Sequence, residues 1–131
     1  MGNRAVIAFS EADKAPAIYL HWNGGRASVE GFLEAARALS IRAAGADHAK
    51  TLDMLAETIA RYFFGHDVGH TVYREPYGQT DRNNGDNGVY LLAPDLTIRK
   101  RLHAPRHEEI NAEKTAAIAE QIKAAAPIFN D

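Results

Sequence analysis

A chain of 131 residues fits a single domain, residues 1–131, and is long enough to bury a core without disulfide or metal staples. With 46% hydrophobic and 24% charged residues it has the composition of an ordinary globular protein, and no apolar run is long enough to span a bilayer. The absence of cysteine excludes disulfides, thiolate metal sites and a cysteine nucleophile, and a net charge of −2 does not suit a nucleic-acid binder.

The opening MGNRAVIAF lacks the apolar stretch and small-residue cleavage site of a signal peptide, so a cytoplasmic location is expected. Val6 stands where a myristoylation signal carries Ser or Thr. RAVIAF (4–9) and AIYLHW (17–22) are short, apolar and rich in β-branched or aromatic residues, which predicts two strands joined by the polar SEADKAP loop. Asn23-Gly24-Gly25 then supplies a sharp turn.

A first helix is expected from Ser28, with the serine as N-cap, Glu30 in the first turn and Ala27 against Phe32 as a staple. Phe32, Leu33, Ala36 and Leu39 form its apolar stripe, and Gly45 breaks it. A second helix is expected from Asp47 or Thr51, burying Leu52, Leu55, Ala56, Ile59 and Phe63 and stopping at Gly65.

HTVYRE (70–75) reads as a strand ended by Pro76, and YGQTDRNNGDNG as turn and loop. VYLLA and LTIRKRL flank Pro94-Asp95 as a tight hairpin. Simple alternation puts Leu96, Ile98 and Leu102 on one face and Thr97, Arg99 and Arg101 on the other. A last helix over 108–126 turns Ile110, Ala117, Ile118 and Ile122 inward, with Pro127 following it. The order ββααβ(ββ)α predicts an α+β domain. Its antiparallel sheet has four or five strands, with about three helices packed on one face.

The sharpest catalytic motif is FFGHDVGHTVY (63–73). His66-Asp67, followed by Val68-Gly69-His70, resembles the core of the HD-domain phosphohydrolases, in which an adjacent His and Asp ligate a metal that activates water. That fold is all-helical and the pair follows Gly65, so His66, Asp67 and His70 are held only as the alternative metal site, and no cofactor is expected. His103 and His107 are separated by Pro105 and need not share a face. The oxygen-rich loop bearing Asp81, Asn83, Asn84, Asp86 and Asn87 departs from the EF-hand spacing and lacks its closing glutamate.

Binding candidates are therefore Trp22, Asn23 and Arg26 at the strand-to-helix turn, Asn84 and Asp86 in the loop, and Arg99 and Arg101 in the one basic cluster. A strand running through Gly-Gly-Arg into a helix start could cradle an anion, although a plain turn with an exposed arginine explains it as well. Trp22 beside Leu20 is expected in the core, and at the rim it would be the best partner anchor in the chain. The cluster of Arg99, Lys100, Arg101 and Arg106 is read first as the solvated face of an edge strand.

NRAVIAF with AIYLHWNGGRASVEGFLEAAR, then ARYFFG, then NNGDNGVYLL, resembles a family of small phage and prophage proteins that carries no assigned catalytic residues. The resemblance implies a mobile-element origin. By analogy with anti-CRISPR proteins it implies a non-enzymatic inhibitor acting in the host cytoplasm on a host defence complex. The rival reading is the metal-dependent HD-type phosphohydrolase using His66, Asp67 and His70.

Overall fold

The computed structural model describes residues 2–39, 47–63, 71–105, 108 and 110–129, with side chains in the last helix described through Ala124. Strands β1 (Ala5–Ala8), β2 (Pro16–Leu20), β3 (Val72–Pro76), β4 (Val89–Leu92) and β5 (Ile98–Leu102) make one sheet in the order β3-β2-β1-β4-β5. Helices α1 (Arg26–Ala38), α2 (His48–Tyr62) and α3 (Ala112–Phe129) pack on one face of it. The fold is α+β, as the mixture of hairpins and helices predicts.

The sheet is mixed rather than antiparallel. β1 pairs antiparallel with β2 but parallel with β4, Val6 lying opposite both Tyr19 and Val89. A parallel partner cannot come from a hairpin, and hydrophobic alternation carries no record of which distant strand will supply it. The chain must leave β3 at one edge and cross two strands to begin β4. The connection, a 3-10 turn at Tyr77–Gln79 followed by the glycine-rich loop, does so over the face opposite the helices.

Both faces of the central strands are consequently buried. Towards the helices, Ile7, Ile18, Leu20 and Tyr90 meet Phe32, Leu33, Leu52, Leu55, Ile59, Ile118 and Ile122. On the crossover face, Val6, Ala8, Ala17, Tyr19, Val89 and Leu91 lie with Tyr77, so the wet face expected there is covered at its centre. Each fully buried side chain of this size contributes about 1.5–3 kcal/mol. AVIA and VYLL read as unbroken apolar runs for this reason.

The hairpin β4–β5 contains a bulge that reverses the expected facing. Leu91 pairs with Lys100 but Leu92 with Ile98, which leaves Arg99 as the extra residue. Ile98 therefore packs on the helix side and Leu102 on the crossover side, while Arg101, opposite Tyr90, points towards the helices. In the loop, Leu96 takes φ 66° yet is fully buried. Left-handed backbone costs a leucine about 1–2 kcal/mol, which burial of its side chain offsets.

Helix α1 begins at Arg26, two residues before the expected cap. Gly25 is the N-cap and makes no side-chain hydrogen bond, and Ser28 lies buried in the first turn, so neither the serine cap nor the Ala27–Phe32 staple forms. Helix α2 begins as expected, with Asp47 accepting from the Lys50 N–H at 3.0 Å. It ends at Tyr62 with Phe63 as C-cap, and Gly65 lies outside the described residues.

Helix α3 starts four residues later than predicted, and it continues past Pro127 to Phe129 instead of ending before the proline. From that start Thr115, Ile118, Ala119 and Ile122 share the inner face. Ala117 is turned out by one helical step, and Ile110, before the helix, is 74% exposed. Gly31 makes the α1–α3 contact possible: a Cβ there would lie 2.9 Å from the Ile118 side chain and from the Thr115 carbonyl.

Two substitutions check this local reading. Gly88 has φ +63°, and a Cβ there would meet the Leu102 carbonyl oxygen at 2.1 Å. Gly88→Ala is expected to destabilise the protein by more than about 2 kcal/mol in urea unfolding, through backbone strain plus the clash. Ser28→Ala, at a position that is not a cap, should change stability by less than about 0.5 kcal/mol, against about 1 kcal/mol for a true cap.

Candidate functional site

Two polar clusters stand out, one on each side of the sheet. On the helix side, the fully buried Tyr90 donates its hydroxyl to the Gly24 carbonyl at 2.6 Å, tying β4 to the turn before α1. The Arg101 guanidinium lies 3.7 Å over the Tyr90 ring and donates to the Asn87 carbonyl at 2.7 Å. Glu108 joins Arg101 to Arg26, accepting from Arg26 at 2.8 Å, and Arg26 also approaches Glu30 at 3.7 Å.

Burial pushes the Tyr90 phenol up to about 12, against the opposing pull of Arg101, so it remains a neutral donor. Burial likewise lowers the Arg101 pKa. Two arginines and two glutamates cancel, so the cluster has no spare positive charge with which to hold an anion. Arg26, expected as a lone exposed arginine, is instead one end of an ion-paired bridge between α1 and the segment before α3.

On the crossover side, Arg4 holds the loop down. Its Nε donates to Asp86 at 2.8 Å, its backbone N–H reaches the same carboxylate at 3.1 Å, and Asp81 lies 3.5 Å away. The Arg4 hydrogen bonds hold the Asp86 carboxyl below the usual range. Beside this pair runs an aromatic row. Tyr73 and Tyr19 rings are 5.2 Å apart, the Tyr19 hydroxyl and His21 Nδ1 are hydrogen-bonded at 3.0 Å, and the Trp22 ring meets His21 edge-on at 5.2 Å. Trp22 is 46% and Tyr73 37% exposed.

The residues of the turn do not converge. Trp22 is at the rim and not in the core, because β2 ends at Leu20 and the alternation that would have turned it inward stops there. Asn23 takes φ 58° and donates to the Tyr62 hydroxyl at 3.5 Å, while Arg26 turns to Glu108. Asn84, buried, spends its amide inside the loop. It accepts from the N–H groups of Asp86 and Gly88 and donates to the carbonyls of Asp81 and Gly88.

Arg99 donates to the carbonyls of Phe9 and Leu92, holding backbone in place. β5 is an edge strand, as expected, but Arg101 is turned in by the bulge with only 13% of its side chain exposed. Of the other candidates, His66, Asp67 and His70 lie outside the described residues, as do Arg106 and His107. Among the described residues, no group of three or more His, Asp or Glu side chains is placed to hold a metal ion, and no helix is long and apolar enough to cross a membrane.

Tyr73, exposed in the aromatic row, is not among the candidates named from the sequence. Alternation in HTVYRE does place it opposite Val72, and that was the available signal. Glu108 could not be foreseen as the partner of Arg101, because the bulge decides where Arg101 points. Comparison with protein-family models, curated proteins and solved structures returned no match.

Two measurements test the roles given to these clusters. Glu108→Gln leaves Arg101 beside Arg26 without its neutralising carboxylate, and should lower unfolding stability by about 2 kcal/mol. Arg26→Ala, which leaves the Arg101–Glu108 pair intact, should lower it by about 1 kcal/mol or less.

The second test uses acid. A carboxylate whose pKa is depressed on folding stabilises the protein above its unfolded value near ~3.9 and loses that contribution as pH falls through its folded value. Thermal stability of the wild type should therefore drop as pH falls below about 4, and Asp86→Asn should flatten that drop. Asp95, depressed by the Thr97 hydroxyl, accounts for part of what remains.

Proposed function

We propose that this chain is a small non-enzymatic binding protein that docks on a bacterial protein complex and blocks a host defence, in the manner of the anti-CRISPR proteins. The observation that carries the binding reading is the position of Trp22, the only tryptophan, half-exposed at the end of an aromatic row anchored on buried sheet. Tryptophan and tyrosine are over-represented among the residues that dominate binding energy, because each offers a large rigid contact area with a polar tip. Here the row is pre-ordered by ring contacts and by the Tyr19–His21 hydrogen bond, which lowers the entropic cost of docking.

The resemblance to phage and prophage proteins supports a host complex as the partner and the host cytoplasm as the location. The polar clusters support a scaffold role: their charges are consumed in joining strands, loop and helices.

Co-purification from a bacterial lysate, with mass spectrometry of what is retained, tests the reading. The wild type is expected to retain subunits of a defence complex, and Trp22→Ala, with unchanged circular dichroism, to lose at least about nine-tenths of them, as for a residue worth more than ~1.4 kcal/mol. Absence of any retained defence subunit, or retention indifferent to Trp22→Ala, would overturn it.

A further inference from the structure

We infer that the aromatic row receives an extended, arginine-bearing segment of the partner protein, whose guanidinium groups stack on Tyr73 and Trp22 and pair with Asp81 and Glu75. The inference rests on the binding reading above and adds the chemistry of what is bound.

The charge at the row is one-sided. Glu75 lies two residues from Tyr73 on the same face of the edge strand β3, and Asp81 and Asp86 lie at the start and turn of the adjoining loop. Among the described residues, the cation paired with the two aspartates is Arg4, held by Asp86 at 2.8 Å and reaching Asp81 at 3.5 Å. Arg74 is on the other face of β3, paired with Asp53 of α2, and Arg82 sits over the Tyr77 ring. Lys14 and Arg74 line a groove together with Glu75, neither with an ion pair to it among the described residues. Asp81 and Asp86 thus share the Arg4 guanidinium, and Glu75 has no ion pair among the described residues. Half the Asp81 side chain, 51%, faces solvent, and burial alone pushes the Glu75 carboxyl above its ordinary range. A positive charge from outside would be drawn to both.

Arginine suits the surface better than lysine. Its planar guanidinium stacks on a ring while its edge engages a carboxylate, whereas an ammonium does one or the other. The molecule already uses this arrangement internally, with Arg101 3.7 Å over Tyr90 and Arg82 5.3 Å over Tyr77. Among the described residues no cation covers Tyr73 or Trp22. An exposed row of rings could also stack nucleobases, but the carboxylates beside it would repel the phosphates.

Trp22 as the sole tryptophan makes its fluorescence a direct readout. The full chain is titrated with an end-blocked peptide alternating arginine and glycine, with its lysine and glutamate counterparts, and with single-stranded oligothymidylate. Saturable quenching by the arginine peptide is expected below about 1 mM. Affinity should fall at least about tenfold between low and half-molar salt. It should also fall about fivefold or more in Glu75→Gln/Asp81→Asn and in Tyr73→Leu, both checked for wild-type urea midpoints. The lysine peptide should bind more weakly.

No quenching by the arginine peptide, equal quenching by the glutamate peptide, or tighter binding of the oligonucleotide would each overturn the inference. The two proposals fail separately. Lysate capture that depends on Trp22, without arginine-peptide binding, would leave the binding function and remove its partner chemistry. Arginine-peptide binding without a captured complex would do the reverse.

Discussion

The parallel pairing of β1 with β4 governs the rest of the molecule. Because β1 runs antiparallel to β2 and parallel to β4, the chain leaving β3 has to travel back across the sheet before β4 can start. With three helices on one face, the return path takes the other, and the crossover segment becomes a second covering layer. Tyr77 fills the space over Ala8 and Ala17, Asn84 folds the loop on its own backbone, and Arg4 draws Asp81 and Asp86 down on the end of β1. A small domain thereby obtains two apolar layers from one sheet, which raises the buried fraction above what a one-sided sheet of this length would reach.

The same crossing explains where the exposed aromatics are. The loop covers the centre of the sheet but not the corner at which β2 ends and β3 begins. Tyr19 lies at the boundary, packed beneath on one side and in contact with His21 and Tyr73 on the other. A tryptophan just past a strand end is held by backbone on one side only, so its ring can stay in solvent while its base is fixed. Rigid support with an open face is what a binding surface requires.

What was legible in the sequence follows the range of the interactions concerned. The two hairpins, the α2 cap at Asp47 and the buried stripe Leu52, Leu55 and Ile59 depend on neighbours within a turn or two, and periodicity recorded them. The parallel register, the bulge at Arg99 and the destination of Glu108 depend on residues far away in the chain, and no local pattern encodes them. At the start of α1 the local rule itself misled. Ser28 is a good capping residue, but the Tyr90 hydroxyl and the bridge from Arg26 to Glu108 hold the preceding turn in place, and the helix begins early on an uncapped glycine. Of the exposed aromatics, Trp22 lies at the rim, the second of the two positions its sequence context allows, and the outward facing of Tyr73 follows from alternation in HTVYRE.

The late arrival of β4 also bears on how the protein is made. Val6 finds Tyr19 within a hairpin, but its other partner, Val89, leaves the ribosome only after both α1 and α2 have been synthesised. Until then one side of β1, an unbroken apolar strand, has no neighbour and presents open backbone donors and acceptors. Nascent chains crowded on one message could pair through that edge, so slow or stalled synthesis between β2 and β4 is the interval in which this fold is most exposed to aggregation.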